Sequence, residues 1–228
     1  MPKTPAIRSS SKDIARFLKQ KKDITEYVGK QPRLIFAIDA TASRQPTWDT
    51  ACRLQAEMFS ATNRVASLRV QLCYYRGFHD FYASRWLGDS ERVATEMARV
   101  ACEGGHTQII RLLRHALAEH ADTSVRALVF IGDAIEENAD TLCDLAGQSG
   151  LKGLPLFLFQ EGADPGVTRI FSQMATLSRG AFARFDHNSA NYLASLLSAV
   201  ASYAVGGRKA LASDSSEGAK LLLKQLDS

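Results

Sequence analysis

The feature that most restricts this chain is a series of short, almost wholly apolar runs separated by segments of helical spacing. Residues 34–38 (Leu-Ile-Phe-Ala-Ile) lie between Pro32 and Asp39, residues 125–131 lead into Gly132-Asp133, and residues 154–159 form a third run. A short run without polar alternation reads as a strand covered on both faces, the pattern of a parallel sheet enclosed by helices. Residues 48–65, 89–102, 107–120, 141–148, 167–178 and 189–205 carry apolar side chains at helical spacing, and residues 181–185 read as a short final strand. Residues 68–75 and 81–87 are β-rich and flank Arg76-Gly77-Phe78-His79-Asp80, which predicts a hairpin. The expected fold is α/β: a doubly wound, mostly parallel six-stranded sheet with one antiparallel edge strand and helices on both faces.

Charge divides the chain unevenly. Its net +4 hides nine Lys/Arg against three Asp/Glu in residues 1–33, a balance of +6. The remaining nineteen basic and twenty-one acidic residues leave the body at −2. Three regions follow: a basic, partly helical N-terminal extension (1–32), an α/β domain (33–205) and a flexible C-terminal tail (206–228). The basic pI belongs to the extension, so nucleic-acid binding by the body is not expected. No apolar stretch approaches the eighteen or so residues of a membrane span, and none at the N-terminus reads as a secretory leader. Cys52, Cys73, Cys102 and Cys143 form no CxxC and have no histidine at zinc-site spacing. They read as reduced thiols in a cytoplasmic protein.

In a sheet of this kind the functional edge lies at the carboxyl ends of the strands. The first strand ends in Asp39-Ala40-Thr41-Ala42-Ser43, a carboxylate and two hydroxyls at alternate positions. The run 125–131 delivers Asp133 to the same edge. The helix that opens at Thr107 runs back, antiparallel, into that strand, which brings Thr107 to this edge as well. Five oxygen donors with no imidazole or thiolate suit Mg²⁺, and less selectively Mn²⁺ or Ca²⁺. Two carboxylates balance the ion's charge, and three neutral hydroxyls leave an open position electrophilic toward an incoming carboxylate. The helix starts after Ser43 and before Ile109 add positive potential for that anion.

The set Asp39-x-Thr41-x-Ser43, Thr107 after a glycine pair, and Asp133 closing a strand resembles the von Willebrand factor A (VWA) domain and its metal-ion-dependent adhesion site, over residues 33–205. The resemblance implies a sheet of order 3-2-1-4-5-6 with strand 3 antiparallel. It implies direct ligation by Thr41, Ser43 and Thr107, with Asp39 and Asp133 direct or through water. It also implies a non-enzymatic module that captures an Asp or Glu of a protein partner within an intracellular assembly, such as one built on an AAA+ ATPase or serving a stress response. The sequence departs from the family pattern after Asp133, where Ala134-Ile135-Glu136-Glu137 stands in place of the frequent glycine. Glu136 reads either as an extra carboxylate at the ion or as the start of the next helix. His106 reads either as an extra metal ligand or as an exposed residue at the rim of the site, the rim being the better fit.

Two other classes compete. A Mg²⁺-dependent phosphoryl hydrolase also begins with an acid at the end of the first strand, but that chemistry asks for a second Asp where this chain has Thr41. There is also no phosphate loop and no GxSxG. A nucleic-acid or acidic-protein reading rests on the basic arm alone. The cluster Tyr74, Tyr75, Phe78, Phe81, Tyr82 and Trp86 reads as packing at the sheet edge.

Overall fold

The structure, a computed structural model, describes residues 31–42, 49, 68–186 and 189–227. The helix expected over residues 48–65 and the basic arm lie outside the described residues. Six strands build one sheet: β1 (Arg33–Asp39), β2 (Arg69–Arg76), β3 (Asp80–Ala83), β4 (Ala127–Gly132), β5 (Leu156–Glu161) and β6 (Ala181–Phe185). Six helices are described: α1 (Ser90–Met97), α2 (Ile109–Asp122), α3 (Ala139–Lys152), α4 (Pro165–Leu177), α5 (Ala190–Ala212) and α6 (Glu217–Leu226). The sheet order is β3-β2-β1-β4-β5-β6, with every neighbouring pair parallel except β2 and β3.

The unalternating apolar runs are explained by burial on both faces. Leu34, Phe36 and Ile38 of β1 pack into one core with α1, α5 and α6, whereas Ile35 and Ala37 face a second core with α2, α3 and α4. Crossovers through helices are what parallel neighbours require, and they place the helices on the two faces. The edge hairpin is tight because Gly77 supplies the left-handed turn (φ 55°) between β2 and β3.

Helix ends follow their caps. Asn138 accepts from the Thr141 N–H and opens α3; Asp164 accepts from the Val167 N–H and opens α4, with Pro165 at its first position. The expected helix over 89–102 stops at Met97, because the chain beyond it bonds to other elements. The Ala101 carbonyl accepts from Arg76, the Glu103 N–H donates to the Ala40 carbonyl, and the His106 N–H donates to the Gly77 carbonyl.

The C-terminal segment corrects the expectation of a flexible tail at 206–228. Gly207 (φ 64°) kinks α5, which then continues to Ala212. Ser216 caps α6 by accepting from the Ala219 N–H, and Ala219 and Leu222 enter the same core as α5. Gly218 allows the close crossing, since a Cβ there would lie 2.6 Å from the Ser195 carbonyl oxygen. Gln225 pairs with the outer edge of β6, accepting from the Phe182 N–H at 2.8 Å and donating to its carbonyl at 2.7 Å. That amide shields a strand edge that would otherwise be open to another chain. Leu222 is thus the centre of the buried side of α6, flanked by the partly buried Leu221, Leu223 and Leu226, and the compact unit runs Pro32–Ser228.

Leu222→Ala tests this packing. Deleting a fully buried leucine costs about 2–5 kcal/mol, so the variant should melt well below wild type in a thermal scan; an unchanged melting temperature would restore the flexible tail.

Candidate metal centre at the carboxyl edge of the sheet

Asp39 is the last residue of β1 and has no exposed surface. Its Oδ1 accepts from the Thr41 N–H at 2.8 Å, which turns the chain sharply after the strand, and its Oδ2 accepts from the Tyr75 hydroxyl at 3.2 Å. Tyr75 stands opposite Asp39 in the parallel register of β1 and β2 and is itself buried, its ring tilted against Phe130. Burying a carboxylate costs several kcal/mol unless polar partners replace water, and this pairing supplies two of them.

The loop before α2 is held in place by backbone contact. Gly105 lies so close to Gly77 that a Cβ would sit 1.8 Å from the Gly77 carbonyl oxygen. The β2–β3 turn therefore acts as the seat for residues 103–107. Thr107 follows, buried, and exchanges contacts with the loop after β4. Its hydroxyl accepts from the Glu136 N–H at 3.0 Å, while its own N–H donates to the Glu136 carboxylate at 3.0 Å. Glu136 also meets His106 Nδ1 at 3.0 Å. The Thr107 N–H, helped by His106, holds the Glu136 carboxyl below the usual carboxylate range. This link is complete above that range and is lost as pH falls through the lowered folded value.

Glu137 accounts for the start of α2. Gln108, at the capping position, makes no side-chain cap; instead the Glu137 carboxylate accepts from the Ile109 N–H at 2.5 Å and the Ile110 N–H at 2.8 Å. The positive end of α2, expected to attract an incoming anion, is thus satisfied by the chain's own carboxylate. Glu136 is likewise neither the opening of α3, which Asn138 caps, nor simply a spare carboxylate, since its Oε2 fastens the Thr107 loop.

Together these loops enclose a cavity of about 190 Å³ lined, among the described residues, by Asp39, Thr41, Ala42, Gly104, Gly105, Thr107, Asp133, Ala134 and Glu136. Four of the five expected oxygen donors meet there; the fifth, Ser43, lies outside the described residues. His106 stays at the rim, with a side chain 63% exposed and its ring edge-on to Phe78 at 5.1 Å. Phe78 itself is exposed, so the aromatic cluster divides: Tyr74 and Tyr82 stack at the sheet edge, Tyr75 supports Asp39, and Phe78 faces outward beside the cavity. The register position of Tyr75 beside Asp39 is the sequence signal that would have separated it from the cluster. The described lining contains no nitrogen or sulfur side-chain donor, and among the described residues no group of three or more His, Cys, Asp or Glu is gathered as a metal cluster. Mixed carboxylate and hydroxyl oxygens are the donor set that would suit a hard cation.

No protein-family model matches the sequence, and no curated protein matches it significantly. Solved structures do match. An aerotolerance-related membrane protein from Bacteroides fragilis superimposes with a TM-score of 0.56 at 17% identity, over 73% of this chain and 96% of that one. The SpRpn10 VWA domain gives 0.55 at 12% identity, over 72% and 94%. The vWF domain of the type V pili tip protein Mfa5 from Porphyromonas gingivalis gives 0.55 at 10% identity, over 75% and 94%. At these identities the likeness is one of fold.

Gly105→Ala tests the seat of the Thr107 loop. The added methyl forces the two backbones apart, so the variant should lose about 1–3 kcal/mol of stability. Amide chemical-shift changes should centre on residues 77 and 103–107, and a wild-type melting temperature and spectrum would contradict the contact.

Proposed function

We propose that this chain, which has the VWA fold, is a divalent-cation-dependent protein-binding module. The observation that carries the reading is the convergence of Asp39, Thr41, Thr107 and Asp133 on one small cavity at the carboxyl edge of the sheet. These residues, joined by Ser43 in the sequence, would hold Mg²⁺, and the same oxygen set would also accept Mn²⁺ or Ca²⁺. The ion would supply Lewis acidity toward an Asp or Glu side chain offered by a partner protein. The chain's own residues do the rest. Asp39 is oriented by Tyr75 and the Thr41 N–H, and Thr107 is fixed by Glu136. Phe78, 64% exposed beside the opening, gives a partner an apolar contact next to the charged one.

A binding role is favoured over phosphoryl hydrolysis by the same geometry. Asp39 has no exposed surface and both its oxygens accept hydrogen bonds within the fold, which suits a ligand and not a nucleophile. The position where a hydrolase would need its second carboxylate is Thr41. A cytoplasmic assembly is the setting we propose; Cys73, Cys102 and Cys143 are free thiols, in keeping with a reducing compartment. Among the described residues no helix is long and apolar enough to cross a membrane.

Thermal unfolding with added Mg²⁺ tests the metal. A ligand at a hundredfold excess over its Kd stabilises the folded state by about 2.7 kcal/mol. Mg²⁺ should therefore raise the wild-type melting temperature by several degrees and leave Asp133→Ala unmoved. Equal shifts in both proteins, or none in wild type, would refute the site.

A further inference from the structure

A second cavity lies at the opposite edge of the sheet, where β6 begins and the carboxyl end of α4 meets the kinked α5 and the end of α6. Its volume is about 600 Å³, and its described lining includes Thr176, Arg179, Tyr203, Arg208, Gln225 and Leu226. Two guanidinium groups thus share one concavity with an aromatic ring, and no carboxylate lines it among the described residues.

The state of each group points to an anionic ligand. Arg208 already holds anionic chemistry, for it donates to the Asp227 carboxylate and to the Leu226 carbonyl. Arg179 has no such partner, since no hydrogen bond or ion pair engages its guanidinium among the described residues. The Tyr203 hydroxyl is also without a hydrogen bond there, while its ring packs edge-on against Phe157 at 5.2 Å. Gln225 is committed to β6 and forms a fixed wall.

Backbone conformation adds an independent observation. Arg179 has φ 56°, and no other described non-glycine residue has a positive φ. It occupies the position after the end of α4 where the chain turns left-handed and where glycine would fit without strain. The next residue, Gly180, cannot carry a Cβ because the Leu156 carbonyl oxygen would be 1.9 Å away. The turn is therefore fixed by Gly180 and β5, with the Gly180 N–H donating to the Ala175 carbonyl, so the helix end requires a left-handed residue at 179 but does not require that residue to be arginine. A non-glycine residue kept in a position that favours glycine gives its side chain a reason to be there, and such residues cluster at binding sites.

We propose that this cavity binds a small organic phosphate, its head between Arg179 and Arg208 and its organic body against Tyr203 and Leu226. A phosphate monoester carries close to two negative charges at neutral pH, which matches two guanidinium groups. A single carboxylate, like that of Asp227, matches one. Arginine is also the side chain whose planar fork fits phosphate oxygens in pairs. Binding displaces Asp227 from Arg208, so the chain's own carboxylate weakens the site until a dianion arrives.

The test is calorimetric titration of the full chain with phenyl phosphate, inorganic phosphate and benzoate, in EDTA so that no metal at the other edge contributes. Phenyl phosphate should bind saturably and most tightly of the three. Arg179→Gly and Arg208→Gln should each weaken it by about tenfold or more, the loss of one charge-assisted contact, and Asp227→Asn should tighten it. Arg179→Gly should also melt at or above the wild-type temperature, because glycine relieves the turn. Absence of saturable binding at millimolar phenyl phosphate, wild-type affinity in Arg179→Gly, or a lower melting temperature in that variant would each overturn the proposal. Inorganic phosphate binding as tightly as phenyl phosphate would overturn the organic body.

Discussion

A carboxylate with no exposed surface, Asp39, sits at the end of a strand buried on both faces, and the carboxyl edge of the sheet is organised around satisfying it. An ionised group in such a place needs polar partners, and they come from two directions. The chain turns back so that the Thr41 N–H reaches one oxygen, and the adjacent strand delivers the Tyr75 hydroxyl to the other. The turn that brings Thr41 back is the one that sets its hydroxyl at the cavity. Local charge satisfaction and site assembly are therefore one event.

The second loop is fixed by the absence of side chains, and then tied down by charge. Gly105 and Gly77 meet backbone to backbone, which seats residues 103–107 on the β2–β3 turn. Glu136 and Glu137 then hold the start of α2 from the neighbouring loop, one through Thr107 and the other through the first two N–H groups of the helix. In the sequence, Glu136 reads as an extra carboxylate for the same edge. In the folded chain Glu137 caps α2 away from the cavity, while Glu136 fastens Thr107 and lines the cavity beside Asp39 and Asp133.

The fold was legible because its signals are strong and local. Apolar runs without alternation imply strands covered twice, and Gly77 between β-rich segments implies the antiparallel edge. The convergence of Asp39, Thr41, Thr107 and Asp133 was legible from connectivity, since a parallel sheet sends all its carboxyl ends to one edge. What escaped depends on contacts between distant residues. Tyr75 is one aromatic among six until its register beside Asp39 is known. Glu137 carries no sequence signal of its role until the neighbouring helix α2 is seen to lack a side-chain cap of its own. The end of the chain read as a tail because a glycine pair and a serine-rich stretch resemble a linker. Gly207 instead kinks a helix, Ser216 caps the next, and Gly218 lets the two cross.

The central claim is that the oxygen set headed by Asp39 holds one divalent cation. Electron paramagnetic resonance with Mn²⁺ as the probe tests it most directly, comparing wild type with Asp39→Asn, which keeps a hydrogen-bond acceptor and removes the charge. One tightly bound Mn²⁺ per wild-type chain, displaced by Mg²⁺, is expected, and none on a folded Asp39→Asn chain. The same bound signal in both proteins, or no bound Mn²⁺ in wild type, would contradict it.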